Sequence, residues 1–424
     1  MAMNRRQFIK QSAGAVSVSL VLPKLWLTEA HAQGAAAANK IFIVCQLAGG
    51  NDGLNTVVPY TDDRYHALRP RIGFQESELM PTIISDQFAL HPSMTALKGL
   101  YDAGKVAIIL GVGDPNGTLS HFTQMDIWQD ANPNNQLSRN GWLGRYADHA
   151  LAGQTGLSAL SVGGGLPKAL FADKVVIPNV DNFANLVFQV DGKYPNGRGN
   201  QMNVFNAAYS RAPQDGAVYF NTLTTTGADA VNGAAAIRNA VAGYTAKATY
   251  PNTGLANGFK MLASVITTIP QVSLLHVSMG GFDNHASEIG VQGDGNNRLV
   301  GAHSSLLKQF SDGVKAFYDD MTAFNLADNI VIMSWSEFGR RSGDNASNGT
   351  DHGTASPQFV IGNAVKGGAL YGAQPSLAAT DLDSGGNMKV AVDFRAMYAT
   401  ILDGWLGTDS QTILGAKYDN LLFL

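Results

Sequence analysis

The sequence is poor in cysteine, in charge and in long apolar runs, and each shortage excludes something. Cys45 is the single cysteine in 424 residues, so no intramolecular disulfide can form in any redox compartment. Lys, Arg, Asp and Glu make up only 15% of the chain, against about 25% in an average soluble protein. With 45% of residues hydrophobic, disorder is excluded and a large core is expected. Twenty-nine basic residues stand against 33 acidic ones, a net charge of −4. No basic stripe is present to neutralise a run of phosphates, so nucleic acid is not an expected partner. No apolar segment reaches the roughly 20 residues that span a bilayer. What the chain does have is glycine, 47 residues without a Gly-X-Y period. That places the excess in loops and tight turns, where chemistry is expected.

The first 32 residues read as an export address. Arg5 and Arg6 precede Phe8, Ile9 and Lys10, a weakly apolar stretch follows over residues 13–22, and Ala30-His31-Ala32 closes the segment. This order resembles a twin-arginine signal. The stretch is too short to span a bilayer and is diluted by Gly14, Ser17 and Ser19. Cleavage after Ala32 is expected, with the twin-arginine export machinery as partner and the periplasm or exterior as destination. Cys45, inside an apolar run, reads as a buried, inert thiol.

Residues 41–47 form that run, which ends abruptly in Ala48-Gly49-Gly50-Asn51-Asp52-Gly53. The pattern of a buried strand meeting a glycine loop recurs three times. It is seen at 106–110 before Gly111-Val112-Gly113-Asp114, at 272–277 before Met279-Gly280-Gly281-Phe282-Asp283, and at 330–335 before Ser336-Glu337-Phe338-Gly339. Helical periodicity fills the intervals at 120–129, 255–268, 299–324 and 394–406. This alternation predicts an α/β fold with a mostly parallel central sheet flanked by helices. Ligands in such sheets collect at the carboxyl ends of the strands, so the four loops are expected to converge. Residues 153–250, rich in Gly, Asn, Ala and Thr with a helix expected over 228–248, read as a cap inserted in a domain spanning 33–424.

Two of the loops pair a carboxylate with an imidazole, in Gly281-Phe282-Asp283-Asn284-His285 and in Thr350-Asp351-His352-Gly353. Carboxylate oxygen together with imidazole nitrogen suits zinc, manganese or a related divalent ion. Asp283, His285, Asp351 and His352 are therefore candidate ligands. Asp52 and Glu337 on two further strand ends would make the site strongly acidic, and a metal is the natural counter-charge. The plainer alternative is that Asp52 and Asp283 brace turns and the histidines are ordinary partly exposed ones. His66, His91, His149 and His303 lack this setting and read as structural.

At these residues the chain resembles the alkaline phosphatase superfamily and, within it, a twin-arginine-exported bacterial family. The marks are the run from Leu47 to Thr56, Ser120-His121-Phe122, Gly281 to His285, Ser336-Glu337-Phe338-Gly339-Arg340 and Thr350 to Gly353. They cover nearly the whole mature chain. The resemblance implies a two-metal site, with Asp52 and Glu337 on one ion and Asp283, His285 and His352 on the other. It implies a hydroxyl nucleophile at a helix start, which Ser120 fits, with Thr118 in reserve. His121 would serve nearby in anion binding or proton transfer, and Arg340 and Arg341 would either clamp a phosphate or sulfate or be merely solvated. The expected ion is zinc, or else manganese, magnesium or calcium, and the expected substrate is a small-molecule or polymer ester.

The chain also departs from that pattern. Glu337-Phe338 stands where many members carry an Asp-His pair, which removes one imidazole and with it the full set for one ion. The Asp283 to His285 spacing is shorter than the usual Asp-x-x-x-His. Residues 120–124 do not match the formylglycine motif of sulfatases, and Gly49 to Gly53 lacks the G-x-G-x-x-G of dinucleotide sites. The leading expectation is an exported metal-dependent hydrolase of phosphate or sulfate esters; the alternative is an exported binding or assembly protein of the same fold without turnover.

Overall fold

The computed structural model describes residues 40–154, 156–181, 234–292 and 295–424, with positions 200, 203, 204 and 207. The signal segment, the linker after it and most of the expected cap, including residues 228–233 of its helix, lie outside the described residues; residues 234–243 are helical.

In chain order the elements that shape the domain are β1 (Ile41–Leu47), α1 (Thr95–Asp102), β2 (Val106–Gly113), α2 (His121–Asp130), α3 (Trp142–Ala150), β3 (Ala159–Val162), β4 (Asn179–Val180), α4 (Gly254–Thr268), β5 (Leu274–Met279), α5 (Ala302–Ala323), β6 (Ile330–Trp335), β7 (Ser356–Gly362), β8 (Ala369–Gly372), β9 (Val392–Asp393) and α6 (Phe394–Thr400). β1 and β6 coincide with the apolar runs that predicted them.

β1 is buried at every position, and its side chains divide by parity. Ile41, Ile43, Cys45 and Leu47 enter one core, while Phe42 and Val44 enter the other. A strand apolar on both faces needs cover on both. Leu100 of α1, Phe259 and Leu262 of α4, and Phe310 and Val314 of α5 supply it on the first side. Trp128 of α2, Trp142 of α3 and Phe394 and Met397 of α6 supply it on the second. There Trp128 stacks on Phe394 at 4.4 Å and Trp142 on Tyr398 at 4.2 Å. Each such pair adds about 0.5–1.5 kcal/mol beyond simple burial. Cys45 is fully buried and its thiol pKa is pushed up by that burial, so it is inert as expected.

The nine-stranded sheet has the order β8-β2-β7-β6-β1-β5-β3-β4, with β9 also on β2. β1 runs parallel to β5 and β6, β3 to β5 and β4, and β8 and β9 to β2. β7 is antiparallel to both its neighbours, β6 and β2. Because it is reversed between them, β2 and β6 point the same way. The carboxyl ends of β1, β2, β5 and β6 therefore share one edge, and the loops after them emerge there. β2 runs on through Gly111-Val112-Gly113, expected as loop, because Val112 pairs with β7 and β9 and Gly113 with β9, so its loop begins at Asp114.

Candidate metal centre

Backbone bonds knit the loops at that edge together. The Ala48 N–H donates to Met279 O at the end of β5 (2.8 Å), and Ala48 O accepts from Phe282 (3.2 Å). Gly49 has φ +123, and a Cβ there would fall 2.5 Å from the Asp283 nitrogen. Gly50 has φ +72, and its Cβ would meet the Phe338 ring at 2.4 Å. Only glycine permits both the conformation and the approach. Further on, residues 339–341 lie antiparallel to 351–354, with Gly339 N–H donating to Thr354 O (3.0 Å) and Gly353 N–H to Gly339 O (2.9 Å). This bridge sets His352 opposite Arg340. The loop after β2 ends at Ser120, the N-cap of α2, whose first residue is His121.

His121 Nε2, His352 Nε2 and Asp283 Oδ1 form a triangle with sides of 3.0, 3.1 and 3.3 Å. His285 Nε2 joins the same two partners, 2.8 Å from His352 Nε2 and 3.0 Å from Asp283 Oδ1. The far nitrogen of each ring is also engaged. His121 Nδ1 lies 2.7 Å from Glu337 Oε1, His352 Nδ1 2.7 Å from Leu119 O, and His285 Nδ1 3.4 Å from Asp351 Oδ1. A carbonyl can only accept, so His352 carries its proton on Nδ1, and Nε2 of the neutral ring is a bare lone pair. The carboxylate of Glu337 asks the same of His121. Lone pairs about 3 Å apart repel unless a cation stands among them; a proton serves one pair, a metal ion serves the group. Far-side acceptors are also how metal-bound imidazoles are oriented. The donor set thus fits a divalent ion.

The group faces solvent, with the side chain of Asp283 48% exposed and that of His121 24%. Partial burial opposes ionisation of Asp283, but the hydrogen bond and charge of Arg340 outweigh it and hold its pKa at about 2. The hydrogen bond that its ring donates to Glu337 raises His121 above the ordinary imidazole range.

The remaining sequence candidates are placed differently from expectation. Glu337 is fully buried behind His121, accepting from the Gly49 N–H on both oxygens at 2.9 and 3.1 Å. Asp351 sits at the back of His285, 3.6 Å from the half-exposed Arg341. Arg340 is not an exposed anion clamp. It is buried, and its guanidinium donates to the carbonyls of Gly49, Gly50, Phe282 and Thr350 and to Asp283 Oδ1 at 2.8 Å. It is a staple that joins three loops and steadies one ligand. Ser120 is exposed beside His121, and its side chain makes no capping bond to α2.

Asp52 does not join the triangle. It is buried and paired side-on with Arg69, whose Nη2 lies 2.8 Å from Asp52 Oδ1. Burial alone would raise its pKa, but the charge and hydrogen bonds of Arg69 turn the shift downward. Glu288, fully buried against Asp52, moves the other way, raised by burial and then by the charge of its neighbour. Glu288 accepts from Asn55 (3.2 Å) and Thr350 (3.1 Å), and His303 lies 2.9 Å from Asn51. His303 is structural, as expected. Arg69 and Glu288 belong to no motif, and sequence reasoning missed them. The segment following the first glycine loop carries three arginines, Arg64, Arg69 and Arg71, and nothing in the sequence singles out Arg69.

Fold and donor set together define an α/β protein with a candidate divalent-metal centre at the carboxyl edge of its sheet. The family model described as "Protein of unknown function (DUF1501)" matches residues 39–417, and the chain belongs to that family. No curated protein matches it by sequence. Among solved structures the chain is similar to the C-terminal periplasmic domain of EcEptC from Escherichia coli, at 11% identity and TM-score 0.37, over 93% of this chain and 90% of that one. It is similar to the lipoteichoic acid synthase LtaP from Listeria monocytogenes, at 8% identity and TM-score 0.34, over 92% and 75%. A protein in the alkaline phosphatase superfamily from Vibrio parahaemolyticus is similar at 8% identity and TM-score 0.32, over 77% and 60%.

Proposed function

We propose that this protein is an exported, metal-dependent hydrolase of phosphate or sulfate esters with Ser120 as nucleophile. The observation that carries the reading is the triangle of His121, His352 and Asp283, no side longer than 3.3 Å. A divalent ion held there, with His285 beside it, would polarise the ester and stabilise charge on its oxygens. Ser120 adjoins His121 on the rim, and its hydroxyl is not committed to capping. The positive end of the ten-residue α2 and its first-turn amides favour an approaching anion. In the reaction, Ser120 Oγ bonds to phosphorus or sulfur as the alcohol departs with a proton, and water then releases the serine. Export through the twin-arginine machinery would place this chemistry in the periplasm or outside; no described helix is long and apolar enough to cross a membrane.

The test is to assay the purified mature chain, supplied in turn with zinc, manganese, magnesium and calcium, on phosphomonoesters, phosphodiesters and sulfate esters. Turnover that a chelator removes, and that Ser120→Ala removes without lowering the melting temperature, is the expected result. Inactivity towards every ester class with every ion rejects the reading. The second reading, a binding or assembly protein without turnover, is favoured by Arg340 and Asp52, whose charges are committed inside the fold rather than to a ligand. It requires that the metal bind while Ser120→Ala changes nothing measurable.

A further inference from the structure

We infer that Glu337 is a positioning residue that makes His121 a ligand, and that the resulting centre takes a single zinc-like transition ion rather than magnesium or calcium. The inference deepens the metal-dependent reading above and rests on it.

Both oxygens of Glu337 are already occupied. Oε1 receives the Gly49 N–H at 2.9 Å and lies 2.7 Å from His121 Nδ1, and Oε2 receives the Gly49 N–H at 3.1 Å. Its side chain is fully buried behind the imidazole, so the ring stands between it and the open face. Asp52, the other acid expected on a second ion, is paired with Arg69. The two carboxylates needed for a second ion are therefore both engaged by fixed protein donors.

The imidazoles, by contrast, are aimed. Phe338 lies 4.7 Å from the His121 ring and 4.8 Å from the His352 ring, an apolar wall shared by both. Each ring is thus packed on one face and hydrogen-bonded at its far nitrogen, to Glu337 or to Leu119 O. Fixing a ring at two points sets where its remaining lone pair points. Two such nitrogens with one oxygen, and a third nitrogen from His285 alongside, make a nitrogen-rich set. Imidazole suits zinc, copper, iron and nickel, whereas magnesium and calcium demand oxygen ligands.

The experiment uses the dialysed mature chain, titrated calorimetrically with zinc, cobalt, magnesium and calcium, with visible absorption of the cobalt form as a second readout. One zinc or cobalt ion per chain is expected, undisturbed by an excess of magnesium or calcium. Glu337→Gln should keep that stoichiometry but bind about 10- to 100-fold more weakly, as losing an outer partner of a metal-bound imidazole does. His121→Ala should shift the cobalt bands as well as weaken binding. Two ions per chain, displacement of zinc by magnesium, or cobalt bands unchanged in His121→Ala would each overturn the inference. Where Glu337→Gln does not fold, the stoichiometry and competition on the unaltered chain still decide. Tight binding of one ion without ester hydrolysis would leave this inference standing and remove the hydrolase; hydrolysis with two ions or with magnesium would do the reverse.

Discussion

Two carboxylates at two strand ends, Asp283 after β5 and Asp52 after β1, hold their charge in opposite ways. Asp283 faces solvent among three imidazoles, with Arg340 reaching it on one side only. Asp52 is sealed in the protein, and Arg69 meets both its oxygens. The first group is short of a cation that fits its several donors; the second carries its cation with it. A carboxylate at a strand end is therefore open to a metal only when no guanidinium takes up both its oxygens, and that depends on a residue 17 positions away.

The contrast can be broken most severely from the buried side. Arg69→Leu should strand Asp52 as an uncompensated buried charge and cost about 3–5 kcal/mol. Urea unfolding measures that loss, and metal binding by the folded fraction should survive it. Next in size is His352→Ala, which removes the ring whose Nε2 touches His121, His285 and Asp283 alike. Its zinc affinity should fall by more than the roughly 100-fold upper range seen for outer partners, while unfolding of the metal-free protein should change little.

A pH series sharpens the comparison further. The pKa of Glu288 is raised in the fold, so the stability it contributes is complete below its unfolded value of about 4.3 and is lost as pH rises through the folded one. Asp52 is lowered, so its contribution is complete above about 3.9 and is lost as pH falls towards its folded value. Glu288→Gln should accordingly flatten the decline in unfolding free energy on the alkaline side and leave the acid side in place. The smallest effect is expected at Phe122, which is 89% exposed next to His121. Phe122→Ser should shift stability by no more than about 0.5 kcal/mol, and a larger loss would mean that this ring is covered in solution.

Much of this was legible in the chain. Largely apolar runs that stop at polar, glycine-bearing loops located β1 and β6 to the residue, and the parallel sense of the strands put Asp283, Glu337 and the loop before Ser120 at one edge. The pairing of Asp with His marked Asp283, His285 and His352 as a group. What sequence could not supply is which side of a ring a residue occupies. Glu337 reads as a ligand because it is an acid at a strand end, yet the backbone turns it behind His121. Arg340 reads as an anion clamp because arginine suits phosphate, yet the carbonyls of two adjoining loops claim its guanidinium. Such assignments depend on long-range backbone geometry, which leaves no periodic trace.

The reversed strand β7 has one more effect. A parallel neighbour would have forced the chain after β6 to travel to the opposite rim before pairing again. Running backwards, β7 starts where β6 stops, so residues 336–355 go out and return on a single side of the molecule. The segment holding Glu337, Arg340, Asp351 and His352 is in consequence one excursion anchored at both feet. Because Arg340 and Glu337 inside it are bonded to the loops after β1 and β5, a change of length in this excursion would be felt at all three strand ends at once.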